Sequence, residues 1–158
     1  VRQSGEEPRW LNGDEMRAWR SYVVGAALLD ERLHRELQDN HGLSLTDYTV
    51  LVVLSEEPDH RMRMSQLADK VASSKSRVSH QIARMEAAGL VRRVTCPGDG
   101  RGVLAELTEE GQRRLTEAAP THVDGVRSHL IDLLSESEQT TLASIFGRII
   151  EHLQATGR

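Results

Sequence analysis

The chain has 158 residues, room for one domain or for one domain with a helical extension, and 38% of them are hydrophobic, enough for a core. Aromatics at 3% make that core aliphatic, and a single cysteine excludes an internal disulfide and fits a reducing compartment. A net charge of −4 gives no hint of a nucleic-acid partner, and with neither a signal-like start nor a membrane-length apolar run the expectation is a soluble, cytoplasmic protein with no membrane partner.

Residues 1–12 are polar, contain Pro8 and read as a loosely held arm. From Asp14 to Gln38, Met16, Trp19, Tyr22, Val23, Ala26, Leu29, Leu33 and Leu37 keep helical spacing. A helix of that length usually packs along a comparable partner. Asn40-His-Gly42 stops it, and Thr46 is the expected cap of a second helix through Leu54, with Asp47 near its positive end. Arg61 to Met64 can add a short strand.

The next stretch carries the chemistry. Ser65 is the expected cap of a helix bearing Leu67, Ala68 and Val71, followed by the small-residue break Ala72-Ser73-Ser74. Ser73 or Ser74 then caps another helix whose Val78, Ile82 and Met85 form one apolar stripe. On its opposite side lie Ser76, Arg77, His80 and Arg84, donors suited to phosphates and guanine edges. The alternative for such a face in isolation is simple solvation. Two short helices joined by a tight turn, however, form a helix-turn-helix, whose second helix enters DNA. Gly89 ends that helix where a left-handed residue is needed. Leu90–Thr95 and Val103–Leu107 alternate as paired strands, and Cys96–Gly102 reads as a mobile loop between them, making the hairpin a wing.

Charge agrees. Residues 61–103 hold nine Lys and Arg against three Asp and Glu, a net of +6, which leaves −10 for the rest of the chain. The positive charge is gathered where the motif would meet DNA.

Beyond the wing, Thr108-Glu-Glu110 opens a helix whose apolar residues continue from Leu115 to Leu134. Pro120 should bend it, or alternatively divide it in two; the unbroken apolar phase favours one helix. Ser135 and Glu138 form a capping box, and Leu142, Ile145, Phe146, Ile149, Ile150 and Leu153 give the last helix a wide apolar face.

Residues 64–108 resemble the winged helix-turn-helix of the MarR family of bacterial transcription regulators. The matching pieces are Met64-Ser-Gln-Leu-Ala-Asp69, the Gly89-Leu-Val91 exit and the Asp99-x-Arg101-Gly102 wing signature ahead of Leu107-Thr108. The flanking helices also fit, so the likeness covers nearly the whole chain. It implies a mainly α fold with a small β-hairpin wing: an arm and dimerisation helix over 1–40, a DNA-binding domain over 41–108 and C-terminal dimerisation helices over 109–158. It also implies a homodimer on double-stranded DNA, most often a repressor, with two recognition helices held about 34 Å apart. Carried over residue by residue, Ser73, Ser74, Lys75, Ser76, Arg77, His80 and Arg84 contact DNA and Arg101 enters the minor groove. Asp99 holds the wing by pairing with an arginine, Arg77 being the expected partner, and Gly102 completes the turn. Gly100 departs from the pattern: many relatives have a second arginine there, so this wing is less cationic.

Relatives often bind small aromatic acids. The matching pocket here would be walled by Trp19, Tyr22 and Tyr48, with Arg17, Arg20 or His34 holding a carboxylate; plain packing of the rings is the competing reading. The scattered histidines form no metal-ligand pattern, Cys96 reads as a small strand residue rather than a redox sensor, and no nucleophile or phosphate-loop motif frames an active site. No enzyme, metal or cofactor is therefore expected. Two rivals to a sequence-specific regulator remain on this fold, a non-specific architectural DNA binder and a protein–protein adaptor.

Overall fold

The computed structural model describes residues 7–96 and 99–156, with 96 and 99–101 described as backbone alone. Six helices and a three-stranded antiparallel sheet follow one another as α1 (Gly13–His41), α2 (Leu45–Ser55), β1 (Arg61–Arg63), α3 (Met64–Lys70), α4 (Lys75–Ala87), β2 (Val91–Cys96), β3 (Asp99–Leu107), α5 (Glu109–His129) and α6 (Glu136–Thr156). The mainly α architecture with a β-hairpin wing is the one the sequence implies.

Helix α1 starts from a full capping box, with Asn12 accepting from the Glu15 amide and Glu15 accepting from that of Asn12. Gly42, at φ +60°, closes it in the left-handed conformation. Two expected caps are corrected. Ser44, not Thr46, caps α2, accepting from the Asp47 amide at 3.0 Å. Ser65 caps nothing: α3 begins at Met64 straight out of β1, whose pairing with β3 already fixes residue 63, and the helix has no side-chain cap.

β3 lies between β1 and β2. The loop expected over Cys96–Gly102 is shorter than the sequence suggests. Cys96 pairs with Asp99, and Asp99–Gly102 already belong to β3, after a register irregularity between Thr95 and Cys96. Glycine lowers strand stability but does not forbid extended backbone, so Gly100 and Gly102 are accommodated in β3 at the irregularity between the Thr95–Val103 and Cys96–Asp99 pairs.

The core gathers Leu37, Leu43, Tyr48, Val50, Leu51, Leu54, Met62, Leu67, Val78, Ile82, Met85, Val91, Ala105, Leu115 and Ala118, from every helix and strand but α6. α5 is one helix through Pro120, as its apolar phase requires, but it stops at His129 instead of continuing to Leu134. Leu130, at φ −137° and ψ −65°, breaks it, and a 3-10 turn over Ile131–Leu133 follows. α6 then begins from the expected box: Ser135 donates its amide to Glu138, and its hydroxyl accepts from the Glu138 amide. No residue of α6 is buried. Among the described residues, no helix is long and apolar enough to cross a membrane.

Candidate nucleic-acid interface

Helix α4 is built to hold one face outward. Ser74 accepts from the Arg77 amide and so resolves which serine is the cap. At the other end the chain makes a paired closing motif: Gly89 donates to the Glu86 carbonyl and Leu90 to that of Met85, with Gly89 at φ +76°. Val78, Ile82 and Met85 are fully sunk in the core. Ser76, Arg77, His80 and Ala83 occupy the exposed side, where Ala83 adds a methyl-sized surface to three polar groups. Lys75 is also exposed, and among the described residues the side chains of Lys75, Arg77 and His80 have no hydrogen-bonding or ionic partner. Ser73 is half-buried in the turn.

The two flanks of the helix are tied down. On one, Asp47 of α2 accepts at Oδ1 from Gln81 Nε2 (3.0 Å) and from Arg84 Nη2 (2.6 Å). Asp47 is the one charged residue in the buried core among the described residues. Arg84 therefore differs from the unpaired cation that the sequence suggests: its partner is a carboxylate on another helix. On the other flank, Arg93 of β2 donates from Nη2 to the Ser79 carbonyl (2.7 Å), and its amide donates to Glu86 (2.9 Å). The helix is braced by its neighbours in the fold and left open along the line between the braces.

Between the wing and α4 runs an open groove of about 470 Å³, lined by Arg63, Met64, Ser65, Lys75, Ser79, Arg93, Gly102 and Val103. The sequence counts Arg63 and Arg93 in its charge excess, yet nothing local seats either of them there. Gly102 reaches this groove as backbone of β3. The side chains of Asp99 and Arg101, and the expected Asp99–Arg77 pair, lie outside the described residues, as does the side chain of Cys96.

The aromatic residues do not assemble as the sequence reading groups them. Trp19 and Tyr22 lie 6.0 Å apart between ring centroids, and Tyr22 meets Phe146 of α6 at 5.6 Å. Trp19 and Tyr22 are about half exposed, at 54% and 50%. Tyr48 is buried elsewhere, 4.5 Å from the His122 ring, and burial raises its hydroxyl above the usual tyrosine value. His34 accepts the Leu45 amide at Nδ1, which places its ring proton on Nε2. Arg20 is exposed, and Arg17 pairs with Asp14. Within one chain these groups line no common cavity among those described. No three His, Cys, Asp or Glu side chains cluster as metal ligands among the described residues.

A braced helix with an outward polar face, beside a two-stranded wing, is the geometry of a major-groove reader. Comparison with known proteins agrees. A MarR family model matches residues 41–102, the stretch from the end of α1 into the wing. The structure superimposes on AbsC, a MarR family transcriptional regulator from Streptomyces coelicolor, with a TM-score of 0.89 and 47% identity over 94% of this chain and 100% of that one. The chain belongs to the MarR family. A second regulator of the family from that organism, Sco3205, solved in complex with DNA, is 43% identical over 97% of this chain and 96% of its own, with a TM-score of 0.91. The transcriptional regulator PecS of Dickeya dadantii is 28% identical over 80% of this chain and 76% of its length. This MarR-family chain is thus a DNA-binding transcription regulator, and its family is not one of enzymes.

Proposed function

We propose that the chain is a homodimeric, sequence-specific repressor in which residues 41–108 bind DNA while 1–40 and 109–158 join two copies. The observation that carries the reading is the open face of α4, where Ser76, Arg77 and His80 stand exposed between two braces. Lys75 and the Ser73-Ser74 turn approach phosphates, Arg77 and His80 read base edges, and Arg101 on the wing enters a minor groove. The DNA complex of Sco3205 supports this assignment by kinship.

Dimerisation is supported by the apolar surface of the terminal helices. Ile149, Ile150 and Leu153 on α6, and Trp19, Tyr22 and Leu28 on α1, are between 44% and 62% exposed. Such a surface calls for a second chain. A small aromatic effector would release DNA by favouring a dimer whose reading helices no longer match the groove spacing. Coupling of that kind is typically about 1–3 kcal/mol, or about 5–150-fold in affinity.

The test begins by selecting bound duplexes from random DNA, with unrelated duplex as competitor. If the dimer neutralises about eight phosphates, log K falls against log salt with a slope of about −7. Arg77→Ala is expected to weaken operator binding roughly tenfold and to relax base preference. Arg101→Ala should cost affinity on all sequences alike. Equal gel-shift affinity for wild type and both variants overturns the reading.

A further inference from the structure

We propose that Asp47, which lies off the DNA-reading face on α2, is a positioning residue for DNA recognition: it sets the rotation of α4 and keeps Arg84 out of the phosphate contacts. The inference rests on the DNA-binding reading above and adds a residue that the helix-turn-helix itself does not contain.

The geometry leads to it in three steps. First, Asp47 is buried, its side chain only 13% exposed, and a buried carboxylate must be hydrogen-bonded or it is strongly destabilising. Its Oδ1 finds both partners, Gln81 and Arg84, on α4. These two side chains are three residues apart and project from the same flank of the helix, so one oxygen holding both resists rotation of α4 about its axis. Second, the Arg93 brace grips the opposite flank through the Ser79 carbonyl and Glu86. Rotation in either sense stretches one of the two sets of bonds, and Ser76, Arg77 and His80 are left aimed between them. Third, the Arg84 side chain is 63% exposed, yet its Nη2 is directed to Asp47. The carboxylate compensates a cation that would otherwise lie close to Arg77 and bind phosphate regardless of sequence. Non-specific affinity is thereby held down while the base-reading groups stay aligned.

The experiment measures salt dependence and operator preference of the full-length protein, using the duplex selected by the wild type and a random duplex of equal length. Asp47→Asn keeps the shape and the Oδ1 acceptor but removes the charge. It is expected to release Arg84, steepen the log K–log salt slope by about one per protomer, and raise random-duplex affinity. The operator-to-random ratio should drop roughly tenfold. Arg84→Met is expected to leave the wild-type slope unchanged, because that charge is already compensated, and in its background Asp47→Asn should no longer alter the slope. A merely structural Asp47 lowers the melting temperature and weakens both duplexes equally at unchanged slope; that result overturns the proposal. So does a slope that becomes shallower by about one per protomer in Arg84→Met, since Arg84 would then be a phosphate contact. If Asp47→Asn fails to fold, the Arg84→Met slope alone decides. A wild-type chain that binds neither duplex overturns the DNA-binding reading itself and is distinguishable from both outcomes.

Discussion

His122 carries a ring nitrogen with nothing to bond. Its Nδ1 is buried and unpaired among the described residues, against the face of Tyr48, and burial lowers its pKa below the ordinary 6.5. In the unfolded chain the imidazole takes up a proton as the pH falls through 6.5; in the folded chain it does so only at lower pH. The unfolded state therefore binds more protons in that window, and stability declines as the pH falls below the usual histidine value. Thermal melts across that window should show the decline, and His122→Phe should flatten it. An unchanged slope of melting temperature against pH in the variant would mean that another group titrates. Glu36 acts in the same direction at more acid pH. Arg32, and after it His129, hold its carboxyl below the ordinary 4.5, so that tie between α1 and α5 is complete above this value and lost as the pH falls through the lowered one. At this scale the sequence is informative where chemistry is local: the small-residue turn narrows the cap of α4 to Ser73 or Ser74, and the structure selects Ser74. The Asp47–Arg84 pair spans 37 positions, and no periodicity in either helix announces it.

Elements were legible in proportion to how far their own pattern decides them. α1, α4 and α6 carry apolar residues at helical spacing, and the Ser135–Glu138 box at the start of α6 is visible without tertiary information, whereas the Asn12 cap of α1 is not among the expected caps. The end of α5 was not, because its apolar phase continues into Leu130, Ile131 and Leu134 while the backbone turns at Leu130. The tip of the wing differs from its expectation for a related reason: glycine signals freedom, and the Cys96–Asp99 pair already brings the far end of the loop into the hairpin. Most hidden of all is the join between α5 and α4. Thr108 accepts from the Gly111 amide, and its own hydroxyl lies 2.6 Å from the Gly89 carbonyl and 3.0 Å from that of Leu90. Gly111 sits so close to Leu90 that a Cβ there would lie 2.1 Å from the Leu90 carbonyl oxygen and 2.7 Å from Leu107 Cδ1. Gly111→Ala must push α5 away from the exit of α4. It is expected to destabilise the fold by about 1–3 kcal/mol, the usual range of overpacking in a close-packed site, read as a shift of the denaturant midpoint. A midpoint within error of wild type would show that the contact yields freely.

For the molecule as a whole, charge and apolar surface are segregated. Positive charge collects over residues 61–103, whereas the remainder is acidic and bears the exposed isoleucines and leucines of α6. Each region thus suits a different kind of partner, a polyanion for one and, in the proposed dimer, an apolar surface for the other. Ile149→Glu places a charge on the second region without touching the first. It is expected to shift the sedimenting species from dimer to monomer at micromolar concentration, and to weaken operator binding by removing the second reading helix. A dimer that survives Ile149→Glu would place the interface elsewhere.

An α6 without a single buried residue has a consequence for measurements in the test tube. In the proposed homodimer its order draws on contact with the second copy, so association and folding are linked through mass action. The melting temperature should accordingly climb as the solution is made more concentrated, and dilution alone should loosen the C-terminal helix and expose it to protease before the winged domain gives way.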